Sequence, residues 1–322
     1  MKNYPFYHVD VFSAEPFSGN GLTVFTESEG FSKEAMQNLT REMRQFESIF
    51  LQKKTFDKVR AFVFTCEEEL DFAGHPILGA AAVLHDLNPS AEEKAEWEFE
   101  LNEKNVTVTT ERKGNIFEAV MNQGMAFFGK LLSIDESASI LHCIGLSAED
   151  LYPGCLPTVI STGLPYLLIP LQKNALKSKI RVVDFEERIQ AFGAKFIGLL
   201  EIPTLSLRSG DNKGKVEDIA TGSLAGIAGA YLVKYGFQKP NSVFRLNQGK
   251  NLGRPSQLFV EVKMKNGEPG DVLVGGSVVK ISQNILSGDL TEYINNMQKS
   301  RNDHRNGYLS TFKESPLGKG SR

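Results

Sequence analysis

Short stretches in which apolar and polar residues alternate recur along most of the chain, each bounded by turn-forming residues. A period of two is typical of β-strands. The predicted strands are Phe6–Phe12, Leu22–Phe25, Glu47–Leu51, Val59–Thr65, Val106–Thr110, Ile116–Met121, Tyr166–Pro170, Phe196–Glu201, Leu258–Val262 and Val272–Ile281. Two other stretches, Ser32–Arg44 and Asp184–Phe192, repeat their apolar residues with helical spacing. The pattern predicts an α+β protein.

Two further helices have no polar face. The stretches Pro76–Leu84 and Leu224–Val233 are apolar all round, so each must be surrounded by other structure in the middle of its domain. An offset of 148 residues relates them, because Gly74, Ala80, Ala82 and Leu84 match Gly222, Ala228, Ala230 and Leu232. We interpret the repeat as a duplicated α+β unit.

The length of 322 residues suggests about two domains. We place the join near Gly124–Lys130, which gives an N-terminal domain of residues 1–127 and a C-terminal domain of residues 128–285. The last strand of the second domain is free to cross back to the first. Residues 286–322 are polar, without a sustained period, and we expect them to form a peripheral tail.

Charge and composition exclude several classes of function. There are 36 basic and 39 acidic residues, so the chain lacks the basic surplus of a nucleic-acid-binding protein. Its three cysteines are too few and too scattered for a disulfide framework, which fits a reducing cytoplasmic compartment. No apolar run has the length of a signal peptide or of a membrane helix, and no His or Cys pair has the spacing of a metal site.

Both apolar helices follow a glycine, in Ala73-Gly74-His75-Pro76 and in Thr221-Gly222-Ser223. If the repeat brings these starts together, two positive helix ends face one small volume, which suits a carboxylate or an oxyanion. The alternative is that the glycines only permit tight turns between strand and helix.

Glu47 is the principal candidate for proton transfer. Alternation places it on the same side of its strand as Ile49 and Leu51, where an acid is costly to ionise and its pKa should rise. The alternative is an edge strand whose glutamate meets water. His75 is either an acid/base at a helix end or structural, and Asp218 either caps or orients the second helix start.

Two other types of site lack support in the sequence. Ser223 with His75 and an acid suggests a hydrolase, but the glycine that a nucleophile elbow requires two residues after the serine is missing. No phosphate loop or dinucleotide-binding glycine motif is present, so nucleotide binding is not indicated.

Taken together, the motifs resemble those of the PhzF-like family of phenazine biosynthesis, whose fold is shared with diaminopimelate epimerase. The resemblance covers residues from about 7 to 281. Its matching pieces are Asp10-Val-Phe12, Gly19-Asn20, Arg41-Glu-Met43, Glu47-Ser-Ile-Phe50, Glu69-Leu-Asp-Phe-Ala-Gly-His-Pro76, Ser161-Thr-Gly-Leu-Pro165, Glu217-Asp-Ile-Ala-Thr-Gly-Ser223, Gln248-Gly249, Gly253-Arg-Pro-Ser256 and Val274-Gly-Gly276.

The resemblance implies two similar domains, each a barrel-like mixed sheet around a central helix, with the active site in the cleft between them. It implies catalytic roles for Glu47, His75 and Asp218, and substrate binding by Gly74, Gly222 and Ser223. It also implies an isomerase without metal or organic cofactor, acting on a small anionic metabolite, and a homodimer.

The related epimerases carry a thiol before each helix-opening glycine, where this chain has Ala73 and Thr221. We therefore expect Glu47 to move a proton along one face of a small carboxylate-bearing substrate. The alternatives are a non-catalytic metabolite-binding protein and an epimerase or racemase that uses a pair without cysteine, such as Glu47 with His75. The family pattern is not followed at Phe46, Asp71, Ile219 and Arg208–Val216, which bear on specificity.

Overall fold

A computed structural model describes residues 4–88 and 93–287 of the chain. The five α-helices of this part are α1 (Lys33–Met43), α2 (Gly74–Asp86), α3 (Ile134–Cys143), α4 (Phe185–Gln190) and α5 (Gly222–Lys234). The strands are β1 (Tyr4–Val11), β2 (Asn20–Phe25), β3 (Glu47–Lys53), β4 (Lys58–Thr65), β5 (Glu69–Leu70), β6 (Lys94–Glu100), β7 (Asn105–Lys113), β8 (Ile116–Met125), β9 (Phe127–Leu131), β10 (Thr158–Ser161), β11 (Pro165–Leu171), β12 (Phe196–Glu201), β13 (Ser206–Ser209), β14 (Phe244–Gln248), β15 (Ser256–Lys265) and β16 (Glu268–Leu286).

The N-terminal half is a closed mixed barrel. Its strands follow the order β1-β2-β3-β4-β6-β7-β8-β16, and pairing of β16 with β1 closes the ring. The apolar helix α2 runs through the middle, with all of its residues buried except Leu84 and Asp86. Helix α1 covers the outside, where Ala35, Met36 and Leu39 are buried. The Ser32 hydroxyl caps α1 by accepting a hydrogen bond from the Ala35 N–H (3.2 Å).

The C-terminal half repeats this plan around α5. Its sheet continues from β16 through β15, β14, β13, β12, β11 and β10 to β9. Helices α2 and α5 have the same length of 13 residues and begin 148 residues apart, and each half contains two parallel strand pairs. The prediction of two similar α+β units is therefore confirmed.

Strand β16 belongs to both sheets. Residues 268–275 pair with β15, residues 271–279 pair with β8, and residues 278–286 pair with β1. Glycine, which has no side chain, permits the close approach of the strands at this junction. A Cβ on Gly275 would lie 2.3 Å from the Ala119 carbonyl oxygen. The two halves are thus joined through continuous backbone hydrogen bonding.

All ten predicted strands and four predicted helices are present. The sequence pattern missed α3 and six strands, β5, β6, β9, β10, β13 and β14. Helix α3 did carry a signal, because Ser133 and Glu136 form a reciprocal capping box. Residues 288–322, most of the predicted tail, lie outside the described part. None of the described helices has both the length and the hydropathy that crossing a membrane requires.

Candidate active site

The two central helices begin tip to tip. A Cβ on Gly74 would lie 3.9 Å from the Gly222 Cα, and one on Gly222 would lie 4.0 Å from the Gly74 Cα. Neither helix has a side-chain cap or an acidic residue in its first turn. Within the described residues, the N–H groups of Gly74, His75, Gly222 and Ser223 donate to no protein acceptor. Two positive helix ends with free donors therefore converge, as an anion site requires.

Glu47 lies beside these helix ends. It is the first residue of β3, and its backbone pairs in parallel with Leu22 of β2, while β4 lies on the other side of β3. Glu47 is only 6% exposed, so the alternative of a solvated glutamate on an edge strand is wrong. Burial, followed by the negative charge of Asp218, raises the pKa of Glu47 from 4.5 to about 8.

His75 contacts Glu47 directly. Its Nδ1 lies 3.3 Å from the Glu47 Oε2, and the imidazole is buried. Burial lowers the pKa of His75 to about 3. An ion pair would lower the pKa of Glu47 and raise the pKa of His75, whereas the two values are shifted in the opposite directions. At neutral pH this contact therefore joins a largely protonated acid to a neutral imidazole. His75 Nε2 has no hydrogen-bond partner in the described protein, which leaves this atom for a ligand.

Asp218 orients the start of α5 and does not cap it. Its Oδ2 accepts a hydrogen bond from the Thr221 hydroxyl (2.6 Å), and its Oδ1 accepts one from the Asn20 amide (3.0 Å). The Gln248 side chain braces the same loop by bonding the Thr221 N–H and the Asp218 carbonyl oxygen. Burial raises the pKa of Asp218, and the hydrogen bonds from Thr221 and Asn20 oppose the rise.

Ser223 does not belong to a hydrolytic triad. Its hydroxyl lies 2.8 Å from the Tyr166 hydroxyl, a hydrogen bond in which either can donate, and His75 is engaged with Glu47. Burial raises the pKa of Tyr166, and the charges of Asp218 and Glu47 add to the rise. Ser223 and Asp218 are partly exposed, so the C-terminal half lines the accessible side of the site.

The structure brings together all six residues singled out from the sequence. It also adds Tyr166, Gln248 and Gln123, whose amide donates to the Gly222 carbonyl oxygen (3.0 Å). Asn20 belonged to a quoted motif, but no role was assigned to it. Gln248 likewise belonged to a quoted motif without an assigned role, whereas Tyr166 and Gln123 gave no signal, because each has the pattern of an ordinary strand residue.

The chemistry of the site is that of acids, amides and hydroxyls. In the described ranges, no three His, Cys, Asp or Glu side chains cluster as a metal ion would require. Of the cysteines, Cys66 is exposed and Cys143 and Cys155 are buried, and none of them opens a central helix. The arrangement can hold an anion against the helix ends and exchange a proton through Glu47.

Comparisons with known proteins agree with this geometry. A family model described as "Phenazine biosynthesis-like protein" matches residues 9–284. An uncharacterized isomerase of Escherichia coli, YddE, is 29% identical over 85% of this chain and 95% of its own. A trans-2,3-dihydro-3-hydroxyanthranilate isomerase of Pseudomonas chlororaphis is 26% identical over 86% of this chain and 97% of its own.

A solved structure extends the agreement to three dimensions. The structure of a predicted epimerase from Pseudomonas aeruginosa is 42% identical, with a TM-score of 0.81, over 88% of this chain and 99% of its own. The family match covers most of both halves, including every candidate site residue. The chain therefore belongs to the phenazine biosynthesis-like (PhzF) family and is one of its isomerases.

Proposed function

We propose that this isomerase moves a proton within a small carboxylate-bearing substrate, without a cofactor, and that Glu47 alone removes and returns the proton. The observation that carries the proposal is a buried carboxyl group whose pKa is raised to about 8. At pH 7 about one Glu47 in ten is ionised, so base and acid forms are both populated. A proton shuttle that works near neutral pH needs both forms.

The proposed reaction has two proton transfers and no change of oxidation state. The Glu47 carboxylate takes a proton from a carbon activated by a neighbouring carbonyl or carboxyl group. The electron pair of the C–H bond moves into a conjugated enolate, and the Glu47 carboxylic acid then returns the proton to another carbon of the same system. Atoms and electrons balance without an external reductant or oxidant, which is why no redox cofactor enters the proposal.

The helix ends supply the second contribution. The free N–H groups of Gly74, His75, Gly222 and Ser223 are available to hold the negative oxygen of the enolate. Neutral His75 orients the Glu47 carboxyl through its Nδ1, and its free Nε2 is left for the substrate. We propose that the partly exposed Asp218 accepts a hydrogen bond from a hydroxyl or amino group of the substrate.

The substrate class follows from the same features. Opposed helix N-termini favour a carboxylate, and a relative acts, by its name, on trans-2,3-dihydro-3-hydroxyanthranilate. We therefore propose small unsaturated carboxylic acids as substrates. The test is to incubate the protein in deuterated water with a panel of such acids that includes that compound, and to record mass increments.

Wild-type protein should incorporate solvent deuterium into at least one acid of the panel. Glu47→Gln should abolish the incorporation, whereas Thr23→Val, a buried change on the opposite face of β2, should retain it. Incorporation at the wild-type rate by Glu47→Gln would contradict the proposal.

One observation favours a second candidate, epimerisation. The structural relative with 42% identity is named a predicted epimerase. Inversion needs a second proton carrier on the opposite face of the carbon, and His75 is the titratable group in contact with Glu47. Stereochemical analysis of the product separates the two reactions, because a one-face shift moves the double bond and inversion leaves it in place.

A further inference from the structure

Asp218 is an anionic group without a cation. No Lys or Arg side chain lies within ion-pair distance of it in the described part of the chain. Among residues 4–88 and 93–287 its charge is met by neutral donors, namely the Thr221 hydroxyl, the Asn20 amide and the backbone N–H groups of Ile219 and Ala220. Asn20 is the donor among these that comes from the N-terminal half.

The orientation of the Asn20 amide is determined by its surroundings. Its Nδ2 donates to the Asp218 Oδ1 (3.0 Å) and to the Ala220 carbonyl oxygen (3.1 Å), so a flipped amide would face two acceptors. Within the described residues the Asn20 Oδ1 is buried without a partner, which is unfavourable. The Asn20 amide is therefore oriented by the two hydrogen bonds that it donates.

The segment before Asn20 is fastened to the same C-terminal half. The Arg254 guanidinium pairs with Asp10 (2.5 Å) and donates to the carbonyl oxygens of Gly19 (2.7 Å) and Ser18 (3.1 Å). Gly19 has a positive φ of 71°, and a Cβ there would lie 2.4 Å from the Val11 carbonyl oxygen. The backbone that leads into Asn20 is therefore held in place.

Asn20 and Glu47 share one face of the barrel wall. Leu22 of β2 pairs with Glu47 of β3, and Asn20 precedes Leu22 by two residues, so the side chains of all three point inward. The titratable groups around Asp218 are Glu47 on β3, Tyr166 on β11 and, beyond Glu47, His75 on α2. The Asp218 charge acts on Glu47 across the junction of the halves.

We propose that Asn20 is a positioning residue, which fixes the Asp218 carboxylate at the start of α5 and acts on Glu47 through the position of that charge. The inference rests on the proposed function, because it concerns the group that carries the proton. Asn20 itself touches no substrate in this account. It acts through Asp218.

The test is a carboxyl titration by NMR of protein labelled with ¹³C at the Asp and Glu carboxyl carbons, without any ligand. Signals are assigned by their absence in Glu47→Gln and Asp218→Asn. In Asn20→Ala the lost donor should raise the Asp218 midpoint, and the Asp218 carboxylate, no longer held in place, should act less strongly on Glu47 and lower its midpoint from about 8. The two midpoints are expected to move in opposite directions.

A merely structural role gives a different result. If Asn20→Ala only loosens the site and admits water, both midpoints fall toward their ordinary values. That result, or two unchanged midpoints, would overturn the inference. The control is Thr23→Val, which removes a buried hydroxyl that has no partner in the described residues and lies on the face of β2 opposite Asn20; it should leave both midpoints in place.

A second variant and a measurement that needs no turnover make the outcome decisive. If Asn20→Ala does not fold, Asn20→Ser fits the same space, keeps one donor and should show the same opposite shifts at smaller size. The titration needs no turnover, so its failure is distinct from failure of the proposed function. Deuterium incorporation by Glu47→Gln would end the proposed function, whereas parallel midpoint shifts would end only the role of Asn20.

Discussion

At the scale of single residues, the site depends on the contact between Glu47 and His75, whose pKa values are shifted in opposite directions. Glu47 is kept protonated by burial and by Asp218, and His75 is kept neutral by burial. The sequence pattern indicated the first shift, because an acid on an apolar face must lose water when the strand is covered. The pattern could not indicate the hydrogen bond between Asn20 and Asp218, since these residues are 198 positions apart and meet only when the halves assemble.

The pH dependence of turnover follows from the Glu47 shift. If ionised Glu47 is the base in the free enzyme, kcat/KM should rise about tenfold per pH unit below pH 8 and level off above it. A pH profile with the deuterium-incorporating acid measures this rise. A rate that is flat from pH 6 to pH 8 would show that another group takes the proton.

Glu47 should also affect stability. The folded state binds its proton more tightly than the unfolded state, whose pKa is near 4.5, so stability falls by about 1.4 kcal/mol per pH unit from 4.5 to about 8. His75 has the opposite sign between about 3 and 6.5, where stability rises with pH. The two effects offset each other up to 6.5, and the Glu47 effect stands alone above it.

Urea unfolding of wild type and Glu47→Gln at several pH values isolates this effect. The advantage of Glu47→Gln should grow steadily between pH 5 and pH 8, because the His75 contribution cancels in the difference. A difference that is constant with pH would mean that the folded Glu47 carboxyl has an ordinary pKa.

At the scale of elements, the two central helices were predicted from the absence of a polar face, and their repeat from the offset of 148 residues. The short strands β10 and β13, with four residues each, escaped because so few positions cannot establish a period of two. What the sequence left open was whether the glycines serve turns or an anion site. The close approach of the Gly74 and Gly222 helix starts, with uncapped N–H groups at both, favours the anion site.

A methyl group at this gap should impair function more than folding. In Gly222→Ala the new Cβ would lie 3.3 Å from the Phe12 Cζ and 4.0 Å from the Gly74 Cα, in the space between the helix ends. We expect kcat/KM to fall about 10²-fold, comparable to the loss of one oxyanion donor. Thermal unfolding serves as the control, and a drop in stability that accounts for the whole loss of activity would contradict this interpretation.

At the scale of the whole molecule, β16 makes the two halves one folding unit. It pairs with β15 on one side and with β8 and β1 on the other, so neither sheet is complete without it. The sequence allowed the last strand to cross back, but register and closure depend on hydrogen bonds between distant segments. The homodimer, the anionic metabolite and the cytoplasmic location stay predictions.

We expect one cooperative unfolding transition as a consequence. Trp97, the one tryptophan of the chain, is buried in β6 and reports on the N-terminal half, whereas far-ultraviolet circular dichroism reports on both halves. The two signals should change together in wild type. They should shift together in Gly275→Ala, which crowds the Ala119 carbonyl oxygen at the junction. Separate transitions would show that the halves fold independently.

Titration of the Glu47 carboxyl in the wild-type protein, followed by the ¹³C signal that Glu47→Gln lacks, decides whether this residue can hold and return a proton near neutral pH. We expect a midpoint of about 8, since the group is buried beside a neutral imidazole and near the Asp218 charge. A midpoint near 4.5 would contradict it, because such a glutamate would be ionised throughout the neutral range and would hold no proton to return.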